Sequence, residues 1–148
     1  MRRFVVYTAV LCAVLGSAVA AQKVSTPAEL DKVMKKASAF RQVDKAIQSN
    51  NAADAKKQLA AVKAAVDESR AFWVEHKRED ALKLNKEAIA KLDALDKVLS
   101  SPTLDIATAT AAFKEAGGAC RACHQIYRAE DANNEYILKP GSVPGISE

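Results

Sequence analysis

The chain has 148 residues and a mass of 15.9 kDa, enough for one domain. Hydrophobic residues make up 49% and charged residues 27%, which excludes a disordered chain. Five glycines and eight aromatics (four Phe, three Tyr, one Trp) are too few for an all-β sandwich or barrel. A net charge of +4 and an odd count of three cysteines raise two possibilities, nucleic-acid binding and a free thiol. Where those residues sit decides both.

Met1-Arg2-Arg3 is a positive start, and Phe4 to Leu15 carries no charge. Gly16-Ser17-Ala18-Val19-Ala20 then places small residues at Ala18 and Ala20. This order predicts a secretory signal peptide over 1–20, cleaved after Ala20 or one residue later. The apolar run is short against the roughly 20 residues that a bilayer span needs. The cleavage signature favours removal over the rival reading, an uncleaved anchor. Cys12 follows Leu11 rather than a small residue, which argues against a lipid anchor there. Cleavage leaves 128 residues and removes two arginines, so the charge falls from +4 to about +2. What remains is two cysteines (Cys120, Cys123), one methionine (Met34) and two histidines (His76, His124).

No glycine occurs between Ser17 and Ala116, and no proline between Ala28 and Ser101, so long helices are expected. Thr26-Pro27-Ala28-Glu29 is a capping box with proline at the first helical position. The first helix then carries Leu30, Val33, Met34, Ala37, Phe40 and Ile47 on one face and ends at Ser49-Asn50-Asn51. Asn51 caps a second helix with Ala55, Leu59, Val62, Val66 and Trp73 inward. A charged connection from His76 to Asp80 leads to a third helix, marked by Leu84, Ala88, Leu92, Leu95 and Leu99 and broken at Pro102. The fourth starts near Thr103 or Asp105 and runs to about Ala129. Short connections between such helices predict an all-α, antiparallel four-helix bundle over 21–131. The segment 132–148 holds two prolines and two glycines and reads as an irregular tail.

Cys120-Arg121-Ala122-Cys123-His124 is C-x-x-C-H, the attachment pattern of a c-type haem. Two thiols add across two vinyl groups, and the adjacent imidazole becomes an axial ligand of the iron. Residues 120, 123, 124 and 127 share one helical face. The imidazole's second nitrogen is expected to donate a hydrogen bond that fixes its tautomer. Gly117 and Gly118 lie just upstream, where the backbone can approach the ring or a neighbouring helix. Three other readings fit less well. A thioredoxin-like dithiol needs a βαβ context. A zinc site needs two more ligands, and only His76 remains beyond His124. A disulfide across two helical residues is strained and leaves His124 unexplained.

With these residues in view, the sequence resembles the class II c-type cytochromes, the family of cytochrome c-prime and cytochrome c-556. Cys120 to Arg128 is similar to the family's C-x-x-C-H-x-x-[YF]-R, and the likeness extends over nearly the whole mature chain. The resemblance implies a periplasmic four-helix bundle with one covalent haem c in its C-terminal helix. It implies that Arg128 flanks the haem on the proximal side; as a residue, Arg128 also fits a solvated helix-end cation. Tyr127 fits a haem contact or a core position equally. Low-spin members take a methionine of the first helix as sixth ligand, which here implies Met34; an apolar stripe also accepts Met34 as core filler. His76 reads as a solvated surface residue, and Phe72-Trp73 as core.

The expected function is a periplasmic electron carrier without enzymatic activity, its iron held by His124 and Met34. The alternative is a five-coordinate, c-prime-like protein that binds small gases such as nitric oxide at an open distal face. Expected partners are redox proteins of a respiratory or photosynthetic chain, with a homodimer as a further possibility and no stable membrane insertion after cleavage. Two haem propionates would bring the charge near neutral, so the nucleic-acid reading lapses.

Overall fold

The computed structural model describes residues 24–133 and 135–146. The expected signal peptide lies outside them. Thr26 opens helix α1 (Pro27–Lys36): its hydroxyl accepts from the Glu29 amide, and the Glu29 carboxylate accepts from the Thr26 amide. That is the capping box the sequence predicts.

The first helix differs from expectation in one respect. A 3-10 turn at Ala37–Ala39 separates α1 from α2 (Phe40–Gln48). The reason is rotational phase. In an uninterrupted α-helix, at about 100° per residue, Val33 and Val43 would point about 80° apart. Three residues at about 120° each recover about 60° of that. Leu30 and Val33 before the turn, and Val43 and Ile47 after it, are all buried. The small residues Ala37-Ser38-Ala39 allow the tighter turn.

Asn50, in the left-handed region at φ 52°, ends the first rod. Asn51 then caps α3 (Ala52–Glu75), its side chain accepting from the Asp54 amide at 3.0 Å. His76–Arg78 connects to α4 (Glu79–Leu99), with Lys77 also left-handed. Asp105 caps α5 (Ile106–Tyr127) through the Thr108 amide.

Neighbouring rods are antiparallel, as their cross-links show. Between α3 and α4, Lys56 reaches Ser100 at one end and Asn85 reaches Ser69 nearer the other. Between α4 and α5, Lys91 pairs with Glu115 while Asp80 meets Tyr127. Gln48 of α2 bonds Thr110 near the start of α5, and Lys36 of α1 pairs with Glu68 of α3. The four rods, counting α1 and α2 as one, therefore close into a bundle. Its core has two parts. One is built on Ile47, Leu59, Leu92, Leu95 and Leu99, the other on Leu30, Val33, Phe72, Trp73 and Tyr127.

The tail is irregular over 139–146, as expected, but not throughout. Strands β1 (Arg128–Glu130) and β2 (Tyr136–Leu138) pair antiparallel, so the 131/132 boundary falls inside a hairpin. Asp131 builds its turn, one carboxylate oxygen accepting from the amides of Asn133 (2.8 Å) and Glu135 (2.9 Å). The Arg128 guanidinium lies 3.2 Å from the centre of the Tyr136 ring. Beyond β2 the chain stays attached. The Lys139 amide donates to the Tyr127 carbonyl at 2.7 Å, the Ser142 carbonyl accepts from Arg78, and Val143 is buried with the second core cluster. Pro140, Gly141, Pro144 and Gly145 form turns, and the apolar Leu138, Val143 and Ile146 pack those turns against the core.

Candidate functional site

Helix α5 carries both thiols toward the bundle interior, each half-buried and unbridged. Cys120 packs against the first core cluster and Cys123 against the second. Between the clusters lies a cavity of about 460 Å³, within the range of cofactor pockets. Met34, Cys120, Cys123, His124, Tyr127 and Arg128 all line it. These are the six residues singled out in the sequence, and one wall of α1 facing one wall of α5 brings them together. Most of the remaining lining is apolar, including Val62, Val66, Trp73 and Ala88.

Burial raises both thiols. That of Cys123 rises to about 11, helped by the nearby Cys120 and Asp80 charges. At neutral pH both are therefore protonated, the reverse of the lowered pKa that a thiol–disulfide catalyst needs. Their chemistry here is that of thiols presented side by side to the cavity.

His124 is half-buried, and burial followed by the Arg128 charge lowers its pKa, so the imidazole is favoured in its neutral form. Neutral imidazole is the form that binds iron. Arg128 Nη1 stands 3.3 Å from Nδ1 of His124. A guanidinium only donates, so Nδ1 accepts and the neutral ring carries its proton on Nε2. This reverses the expected hydrogen bond, in which the second nitrogen donates. For Nε2 to ligate a metal, the proton has to move to Nδ1 and the Arg128 contact has to open.

Tyr127 is buried and serves two purposes. Its ring packs on Trp73, with centroids 4.7 Å apart, while also lining the cavity. Its hydroxyl donates to Asp80 at 2.5 Å and accepts from Arg78 at 2.8 Å. Arg78 also grips Asp80 through two nitrogens, and together they hold the Asp80 carboxyl well below its usual range. Burial and the Asp80 contact push the Tyr127 phenol up to about 12. His76 is not the solvated residue expected: half-buried, its Nε2 lies 2.9 Å from the Ser25 carbonyl and its ring against Phe72. Phe72 and Trp73 are core, edge to face at 4.9 Å.

Sequence reasoning missed Asn85 and Ser69, a buried polar pair in the cavity wall. Tyr136 to Leu138 close another part of it from the tail. A polar residue at a core spacing, Ala81-Asn85-Ala88-Leu92, was the available signal for Asn85. The glycine expectation holds only for Gly117, where an added Cβ would stand 3.4 Å from the Phe40 ring; Gly118 has nothing within 4 Å. Phe40 stacks on Phe113 at 4.2 Å beside it, at the edge of an open groove on the outer side of α5.

The donor set bears on what the cavity suits. Among the described residues, no group of three or more His, Cys, Asp or Glu is arranged to hold a metal ion by itself. Two adjacent thiols, an imidazole and a thioether around an apolar space instead suit iron carried in a planar, largely apolar macrocycle. No helix among the described residues is long and apolar enough to cross a membrane. No family model, curated protein or solved structure matches the chain.

Proposed function

We propose that the protein is a periplasmic monohaem c-type cytochrome that carries electrons and catalyses no reaction of its own. One observation carries this reading: the two thiols and the imidazole of Cys120-x-x-Cys123-His124 line the same cavity as the thioether of Met34. In this reading Cys120 and Cys123 would hold haem c covalently, and His124 and Met34 would ligate its iron. When bound, the haem supplies a one-electron Fe(III)/Fe(II) couple. The chain's own residues do the rest. Trp73, Val66 and Ala88 keep water from the cavity, Arg128 supplies a cation beside His124, and Tyr127 fixes the end of α5 against α3 and α4. Electron-transfer partners of such a carrier dock weakly over small surfaces.

Visible spectra of the purified protein in both oxidation states test the reading, together with haem staining after denaturing electrophoresis. The expected result is chain-bound haem with a low-spin reduced spectrum that carbon monoxide does not alter. A high-spin ferrous spectrum that shifts with carbon monoxide would replace the carrier with the gas-binding alternative. Absence of chain-bound haem would overturn both.

A further inference from the structure

Asn85 is the one polar side chain of α4 placed in its buried stripe, and it is only 6% exposed. Its Nδ2 donates to the Val66 carbonyl at 2.7 Å and to the Ser69 hydroxyl at 3.1 Å. The Ser69 hydroxyl in turn donates to the same carbonyl at 2.7 Å. A carbonyl only accepts, so the amide group has to face Val66, and Oδ1 has to face the other way. No donor among the described residues reaches Oδ1, and yet no fully enclosed side-chain oxygen lacks a partner. Oδ1 therefore borders open space, and the space that Asn85 lines is the cavity shared by Met34 and His124.

An amide in this position gives up apolar burial, since leucine would fill the same place in the stripe. What the amide adds is a fixed dipole. Its amino end is tied to α3, and its negative, carbonyl end borders a cavity lined mostly by apolar residues, with Asp31, Lys35, Arg41, Arg128 and Glu135 as its charged members. Inside a low-dielectric space such a dipole acts strongly and favours whichever state of the cavity's occupant carries more positive charge.

We infer that Asn85, anchored by Ser69 and the Val66 carbonyl, sets the reduction potential of the haem by stabilising its oxidised form. The inference rests on the proposed haem-binding function. Asn85 is a tuning residue and ligates nothing. Ser69 is its positioning residue.

The test is a spectroelectrochemical titration of the purified holoprotein and of Asn85→Leu, Asn85→Ala and Asn85→Asp. Leu and Ala remove the carbonyl and are expected to move the midpoint to more positive potential. Ala reads the same sign should Leu overfill the site and prevent folding. Asp keeps an oxygen toward the cavity and is expected at or below the wild-type midpoint. A general loosening of the fold would move all the variants in one direction, so the split in sign separates tuning from a merely structural role. A midpoint unmoved or lowered in both Leu and Ala, or raised equally in all three, overturns the inference while leaving the cytochrome reading intact. A wild-type protein without covalent haem overturns both.

Discussion

Cys120 and Cys123 sit one helical turn apart on α5, yet they pack into different halves of the core, with the cavity between those halves. The thiols thus face one cavity from two halves of the core. Each contributes its own attachment point, so Cys120→Ala and Cys123→Ala are each expected to reduce or abolish covalent haem. Haem staining after denaturing electrophoresis, with intact mass, reads the outcome. Normal haem content in both variants would contradict the attachment.

Met34 lines the cavity from α1 at the last turn before the 3-10 segment. Met34→Ala is expected to keep the haem attached and convert a low-spin spectrum to high-spin. Because Met34 is only half-buried, the cost in stability should sit at the low end for such truncations, about 2 kcal/mol. An unchanged spectrum would remove Met34 from the iron.

Tyr127→Phe keeps the ring on Trp73 and deletes the hydroxyl shared by Asp80 and Arg78. Hydrogen bonds to charged groups contribute about 1.5–3 kcal/mol when buried. Asp80 is about half exposed, which screens the pair, so a loss of about 1 kcal/mol is expected. Urea unfolding monitored by Trp73 fluorescence measures it directly, since that indole is the chain's sole tryptophan.

The Glu29 carboxylate accepts from the amides of Ser25 and Thr26 and from the Ser25 hydroxyl, which lowers its pKa from 4.5 to about 2. A depressed carboxyl stabilises the folded state above its unfolded pKa. That contribution is lost as pH falls from about 4.5 to about 2. The carboxyl resonance of Glu29 should therefore titrate near pH 2, and the Thr26 and Ser25 amides should shift with it. A midpoint near 4.5 would mean the capping box is open in solution.

Gly118 is helical, and nothing lies within 4 Å of where its Cβ would be. Gly118→Ala should therefore gain the helix propensity that glycine forgoes, about 1 kcal/mol, in urea denaturation of the haem-free chain. A loss of stability would show that this face of α5 is covered by something that needs the space.

The candidate site was legible to the extent that local chemistry wrote it. C-x-x-C-H is a contiguous pattern, and Met34 is the sole methionine besides Met1 and falls on an inward stripe. The four rods were legible from breakers and caps at Thr26, Asn51 and Asp105. Four features depend on relations between separate segments, which local reading does not reach. The 3-10 turn answers a phase mismatch between Val33 and Val43 that becomes visible once both face one core. The hairpin needs the stacking of Tyr136 on Arg128 and the anchoring of Val143 under Arg78. Asn85 stands at a core spacing, but its partners, Ser69 and the Val66 carbonyl, belong to another helix. His76 likewise gained its partner from Ser25, fifty-one residues away.

The hairpin also decides where the cavity can open. Part of its wall is Tyr136, Ile137 and Leu138, held by Lys139 to Tyr127 and by Ser142 to Arg78. Two such contacts are far less than the packing that joins the helices, so this wall is the one that can give way while the helices stay together.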